Sequence, residues 1–267
     1  MCKDCGCSGD AQGHEHAHVH DGHTHSHGHT HGGDHTHEHP HPHPHAVPAV
    51  AEARTVSVQQ KILSRNDEQA ERNRAWLSEH GVVAVNLISS PGSGKTYLLE
   101  RTLEGLRGKV ACAVITGDQR TDNDARRLQG KGAPVRQIET INSCHLDAEQ
   151  VGRLLPEVAG GGVKLLFIEN VGNLVCPSAF DLGENFKIAL LSTTEGEDKP
   201  VKYPTLFSTA PVAVLTKMDL VPHLDWNAAA CRAALRQVRP GVFIFELSAK
   251  TGLGMDAWLD YLVKLTE

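Results

Sequence analysis

The 267-residue chain has no run of about 18 consecutive apolar residues, so nothing in it reads as a membrane span. Its N-terminus lacks a basic stretch followed by an apolar one, so no secretory signal is expected. It has no basic stripe either. Lys and Arg number 26 against 32 Asp and Glu, a net charge of -6 with neutral histidine, which argues against nucleic acid as the main partner. Pairing of every cysteine within the chain is excluded, because the cysteines are seven: Cys2, Cys5, Cys7, Cys112, Cys144, Cys176 and Cys231. An odd count without an export signal points to the reducing cytoplasm, where clustered cysteines bind metal more often than they form disulfides.

Large apolar side chains are almost missing from the first 47 residues, which hold 15 of the 18 histidines with many Gly and Pro. Such a segment cannot bury enough apolar surface to offset its ordering entropy. Residues 1–50 are therefore expected to be a disordered Cys/His-rich metal-binding tail. Residues 51–80 are expected to be a helical lead-in packed on the next domain, ending at Gly81. Residues 81–267 have ordinary globular composition and are long enough for one sizeable core.

Within that third segment, apolar runs recur at 82–90, 110–116, 163–170, 186–193, 211–217 and 242–248, with a shorter one at 134–138. Helical patterns lie between several of them, including DARRLQGK, HLDAEQVGRLLPEV and WNAAACRAALRQV, and MDAWLDYLVKLTE follows the last. Continuous apolar strands alternating with helices predict an α/β fold with a mostly parallel sheet covered on both faces.

SSPGSGKT (89–96) stands between the first strand and its helix. A glycine-rich loop here wraps backbone N–H groups around phosphates, and the helix N-terminus favours anions. Gly92, Ser93, Gly94, Lys95, Thr96 and Tyr97 are the residues expected at the nucleotide. Lys95 would reach the β- and γ-phosphates, and Thr96 would bind Mg²⁺. The pattern asks for Gly at 89, where this chain has Ser89. TKMD (216–219) and SAK (248–250) end later strands. The Asp219 carboxylate can accept from guanine N1–H and its exocyclic amine, Lys217 can lie over the ring, and the backbone near Ser248, Ala249 and Lys250 can hold the guanine oxygen. This favours GTP over ATP, although Thr216 stands where Asn is usual. In ENVG (169–172), Gly172 is placed to sense the γ-phosphate and Glu169 to hold Mg²⁺ or its water, with Glu in place of the usual Asp. Asp118 ends another strand and is a candidate for Mg²⁺ or for orienting water. Asp124 is a second candidate, or a helix cap.

Two clusters suggest transition metal. Cys2, Cys5 and Cys7 put three soft ligands on one short segment, which suits Ni²⁺ or Zn²⁺. His14, His16, His18, His20, His23, His25, His27, His29, His31, His35, His37, His39, His41, His43 and His45 follow. Neutral imidazoles on such a chain bind several Ni²⁺ ions weakly and exchange them fast, which suits storage. Cys144 and His145 are adjacent, and Cys176 lies four residues beyond Gly172. Spacing alone favours ordinary cysteines and a satisfied histidine at those three positions. Cys112 and Cys231 sit in apolar patterns and read as core.

Taken together, MCKDCGC, SSPGSGKT, GDQRTDNDARRL, SCHLDA, FIENVGNLVCP, TEGEDKPVKYP, TKMDL and SAKTG resemble the HypB-type GTPases that help insert nickel into hydrogenase. The resemblance covers about residues 1–7 and 55–267. It implies a cytoplasmic, SIMIBI-class P-loop GTPase, Ras-like but distinct, that hydrolyses GTP slowly and dimerises in response to nucleotide and metal. It implies a HypA-type zinc-binding partner, the hydrogenase large subunit as recipient, and in some cases a SlyD-type nickel chaperone. It assigns Cys2, Cys5 and Cys7 to a high-affinity nickel site. It assigns Cys144, His145 and Cys176 to a second site for Zn²⁺ or Ni²⁺ near the dimer interface, reversing the reading from spacing. A urease accessory GTPase, or a nickel/zinc store with a vestigial GTPase, are the alternatives.

Overall fold

The computed structural model describes residues 49–118, 123–140 and 144–267, with backbone alone for 49–59, 118 and 123. Contacts divide the chain after Ser57, and the unit Val58–Glu267 carries the fold described below.

Seven strands form one sheet in which every pairing is parallel. They are β1 (Val83–Ser89), β2 (Cys112–Asp118), β3 (Val135–Glu139), β4 (Leu165–Glu169), β5 (Phe186–Ser192), β6 (Val212–Thr216) and β7 (Phe243–Glu246), in the order β3-β2-β4-β1-β5-β6-β7. The interior strands β4 and β6 are buried at every residue, as expected of strands covered on both faces. Alternate side chains go to opposite faces. Val85, Leu87, Leu165 and Phe167 join one core with Leu103 and Trp258. Ala84, Leu166 and Ile168 join another with Leu77, Leu146 and Leu155. The α/β class, with helices on both sides of the sheet, is the one expected from sequence.

The helices are α1 (Ala49–Glu79), α2 (Lys95–Leu106), α3 (Asn123–Leu128), α4 (Ala148–Val158), α5 (Cys176–Ala179), α6 (Lys199–Lys202), α7 (Pro204–Thr209), α8 (Ala228–Val238) and α9 (Met255–Lys264), with a 3-10 turn at Met218–His223. α4 starts on a capping box: Asp147 accepts from the Gln150 backbone, and the Gln150 side chain accepts from Asp147 N–H. α1 docks through amides. Asn73 Nδ2 donates to the carbonyls of Ala148 (2.7 Å) and Leu182 (2.9 Å). Asn66 donates to Asp181 O (2.8 Å) and accepts from Ala148 N–H (2.9 Å). Gly183, at φ +91, lets the chain pass α1 closely: a Cβ there would lie 2.5 Å from Asn73 Cβ.

Candidate functional site

Parallel strands bring their carboxyl ends to one edge of the sheet, where ligands of such folds bind. The loop Ser90–Gly94 leaves the end of β1 there and enters α2 at Lys95. Gly92 (φ +73) and Gly94 (φ +91) take left-handed backbone that other residues adopt at a cost. Ser89 accepts from Ser93 Oγ (2.6 Å) and donates to Ser90 O (2.9 Å), fully buried. The departure from glycine at 89 thus supplies an internal strut. Thr216 Oγ1 donates to Ser93 O (2.7 Å), so the second departure also braces this loop.

Lys217, at φ +59, donates from Nζ to Gly92 O (2.7 Å). Ser248 Oγ donates to Asp219 Oδ1 (2.6 Å), which fixes that carboxylate. A cavity of about 330 Å³ lies between these groups, lined by Ser93, Gly94, Tyr97, Thr216, Lys217, Asp219, Ser248, Ala249 and Lys250. The Arg127 guanidinium lies 4.8 Å over the Tyr97 ring.

Beside the start of α2, Thr96 Oγ1 donates to Glu169 Oε1 (2.6 Å), and Lys95 Nζ is 3.7 Å from the same oxygen. Glu169 is only 1% exposed, and its Oε2 has no hydrogen-bond partner among the described residues. Burial pushes its carboxyl above the ordinary range, Lys95 and Thr96 pull it back, and the Asp124 charge pushes it further up. The buried Glu169 carboxylate and the Thr96 hydroxyl offer oxygen ligands of the kind a hard divalent cation takes, while the Lys95 ammonium beside them is placed for an anion. Asp124 lies in the first turn of α3. Asp118 is the last residue of β2, and its side chain falls outside the described residues. Gly172 packs on the phosphate loop: a Cβ there would lie 3.1 Å from Pro91 Cα.

On the neighbouring side, ligand atoms of Cys144, His145 and Cys176 all lie within 4.8 Å of one another. The His145 ring stacks on Phe180 at 3.9 Å between centroids. Burial lowers its pKa, with Asp147 acting the other way, which favours the neutral, metal-binding ring. Cys176 is the first residue of α5. Cys112 and Cys231 differ: both are buried, and burial pushes their thiols up to about 12. Cys2, Cys5, Cys7 and the fifteen histidines from His14 to His45 lie outside the described residues.

The profile of the CobW/HypB/UreG nucleotide-binding domain matches residues 83–246. The hydrogenase maturation factor HypB of Azotobacter chroococcum is 50% identical over 215 residues, which are 80% of this chain and 70% of that protein. This chain belongs to the HypB family of hydrogenase maturation factors. The solved HypB of Archaeoglobus fulgidus superposes with a TM-score of 0.72 at 38% identity, over 77% of this chain and all of that one. HypB from Helicobacter pylori, solved in complex with nickel, has a TM-score of 0.71 at 35% identity, over 75% of this chain and 94% of that one. The α/β P-loop fold with a parallel sheet expected from sequence is the fold found. Among the described residues, no helix is long and apolar enough to cross a membrane.

Sequence reasoning did not single out Asn86, Asn170 or Lys199. Lys199 Nζ donates to Ser90 Oγ (2.9 Å) and to Glu195 (2.6 Å). Asn86, in the middle of β1, and Asn170, directly after β4, are fully buried polar residues. A polar residue interrupting the apolar runs VAVNLIS and LLFIEN was the available signal.

Proposed function

We propose that this protein is a GTP-hydrolysing nickel metallochaperone that stores Ni²⁺ and delivers it to the large subunit of a [NiFe]-hydrogenase during maturation. It works in the cytoplasm as a homodimer whose assembly depends on nucleotide or metal. A HypA-type zinc-binding protein is its partner in delivery, and a SlyD-type chaperone is a further source of nickel. The observation that carries the reading is the short segment from Glu169 to Cys176. It contacts Thr96 at one end, touches Pro91 through Gly172, and ends on a thiol grouped with Cys144 and His145.

Guanine is assigned to the cavity beside Asp219, whose carboxylate accepts from N1–H and the exocyclic amine while Lys217 covers the ring. Backbone N–H groups of Gly92–Tyr97 hold the phosphates, and Lys95 pairs with the β- and γ-phosphates. Thr96 and Glu169, with Asp118, would hold Mg²⁺. Bound there, the ion would supply charge neutralisation for the phosphate oxygens. Asp118 orients the attacking water, and the Gly172 N–H binds the γ-phosphate. When that phosphate leaves, the 169–176 segment relaxes and Cys176 moves away from Cys144 and His145. The cargo there is nickel, with zinc as the competing occupant. The tip bearing Cys2, Cys5 and Cys7 holds one nickel ion tightly, and the histidine tract buffers more.

The test is nickel affinity of the G-domain site in protein loaded with GDP or with a non-hydrolysable GTP analogue, beside nickel content of hydrogenase from cells carrying Lys95→Ala. The reading expects an affinity difference, and a hydrogenase short of nickel in cells that still accumulate it. Equal affinities with normally loaded hydrogenase would refute delivery and favour storage. Loss of urease activity alone would move the protein to urease maturation.

A further inference from the structure

We propose that Asn170 is a positioning residue that ties the Cys144–His145 segment to the nucleotide loop. Its use in metal release rests on the coupled reading above, but its geometry does not. Asn170 is fully buried directly after Glu169. Its backbone N–H is held by Leu87 O of β1 (3.1 Å), close before the phosphate loop. Its side-chain Oδ1 accepts from two N–H groups at once: Val171 (3.0 Å), inside the ENVG turn, and Leu146 (3.3 Å), next to His145. Its Nδ2 donates to Asn86 Oδ1 (3.2 Å). Asn86 in turn donates to Glu184 Oε1 (3.1 Å), whose Oε2 accepts from Leu182 N–H (2.6 Å).

One carbonyl oxygen is therefore shared between a loop placed to sense the γ-phosphate and the residue after a metal-ligand candidate. A second contact closes the linkage. Leu146 is fully buried, and its side chain fills the space that Gly117 leaves empty at the end of β2. A Cβ on Gly117 would fall 2.8 Å from Leu146 Cδ2 and 2.9 Å from Cγ. Leu146 is thus wedged between the ends of β2 and β4, the strands that end at Asp118 and Glu169. Displacing the 169–172 turn must either drag Leu146 or break its bond to Asn170. Such a discrete choice is what carries coupling between two sites. An apolar residue at 170 would bury both N–H groups without an acceptor, and no neighbouring side chain among the described residues supplies one for both.

The experiment uses full-length wild type, Asn170→Ala and Asn86→Ala, each with GDP or a non-hydrolysable GTP analogue. Hydrogen–deuterium exchange at the Leu146 amide is read beside nickel affinity. In wild type, exchange at Leu146 changes with nucleotide, and nickel affinity differs by about fivefold or more between the two states. In N170A, Leu146 exchanges faster, and identically in both nucleotide states. N86A cuts the same buried chain without touching the Leu146 bond. It should melt earlier yet keep the nucleotide response, which separates positioning from mere packing. A response retained in N170A, or lost equally in N86A, overturns the proposal. If N170A fails to fold, Gly117→Ala pushes Leu146 from the other side, and an unchanged response there overturns it as well. If nickel affinity ignores nucleotide in wild type while Leu146 still responds through Asn170, the delivery reading falls and the positioning role stands. If wild-type Leu146 ignores nucleotide, the positioning role falls whatever nickel does.

Discussion

Replacing Thr216 with Val isolates one hydrogen bond at the phosphate loop. Thr216 is 4% exposed, and its Oγ1 donates to Ser93 O at 2.7 Å. Valine keeps the branched shape at the end of β6 and deletes the donor. Ser93 is itself buried, so its carbonyl loses a partner where water is scarce. An orphaned buried acceptor costs about 1–3 kcal/mol. Two states can bear that cost. If the apo loop keeps its shape, the cost falls on the folded protein, and Tm drops by about 2–12 °C for a domain of this size. If the loop relaxes and must be rebuilt around phosphates, Tm holds and nucleotide Kd rises by about 5- to 150-fold, at tenfold per 1.4 kcal/mol. The two readouts must therefore trade against each other. The lost bond braces the backbone that wraps the phosphates, which both nucleotides share, so GTP and ATP should weaken in the same ratio. Thr216→Asn, whose amide can donate to the same carbonyl, should recover most of both losses. The assays are a fluorescent-nucleotide titration and a thermal melt. A T216V protein with unchanged Tm and unchanged Kd would refute the strut. A shift in the GTP-to-ATP ratio would mean that Thr216 reads the base.

Three further outcomes follow from the geometry. Asp219→Asn trades an acceptor for a donor, so GTP should weaken by about 10- to 100-fold, as for lost bonds to a charged group, while a purine bearing a carbonyl in place of the amine gains; competition binding with both nucleotides checks this, and equal loss for the two bases contradicts it. Gly183→Ala adds a methyl at φ +91 that would sit 2.5 Å from Asn73 Cβ and 2.7 Å from Ala70 O; left-handed strain of about 1–2 kcal/mol and overpacking of about 1–3 kcal/mol should lower Tm by roughly 4–20 °C, and a melt within a degree or so of wild type contradicts the docking of α1 at this turn. Burial raises the Glu184 carboxyl above its ordinary 4.5, with Lys187 and Asn86 opposing and Asp181 adding to the rise; the unfolded chain then releases its proton first as pH rises, so wild-type stability falls from pH 4.5 upward until the folded value is passed, and urea melts of wild type against Glu184→Gln should show that slope only in wild type.

The sheet was legible because its strands are covered on both faces and so read as unbroken apolar runs. VKLLFIEN needed no alternation to be recognised, and β4 lies inside it. The phosphate loop was legible because its glycines answer a backbone demand at φ +73 and φ +91 that few other residues meet. Other features were hidden for physical reasons. The region of α1 shows only loose apolar spacing because two buried asparagines, Asn66 and Asn73, carry much of its docking. The short helices α5, α6 and α7 are too brief for any period to show. Ser89 and Thr216 looked like defects against general motifs, because a motif records what touches the ligand and not what braces the loop. The grouping of Cys144 and His145 with Cys176 depends on how two separate segments meet, which spacing cannot show.

That meeting has a simple origin. β2, β4 and β1 are adjacent and parallel, with Thr116 and Leu87 both level with Glu169. The chain leaving β4 must therefore pass between the phosphate loop after β1 and the segment that follows β3. Within 169–176 it engages Thr96 by a carboxylate, Leu146 by an amide and Pro91 by the close approach of a glycine, and it brings the Cys176 thiol within 4.8 Å of the ligand atoms of Cys144 and His145. No flexible connection of any length separates these contacts. A longer tether would let one end move while the other stayed, since slack dissipates displacement as chain entropy. A segment this short, with Asn170 held by β1 at its backbone and bonded to Leu146 at its side chain, has few ways to move at one end alone. On the proposed function, nucleotide state and thiol position become properties of one stretch of backbone. Lengthening it by a Gly-Ser pair between Asn173 and Leu174 should leave both sites assembled while the nickel affinities with GDP and GTP analogue converge. If they stay apart in that variant, the coupling runs outside this segment.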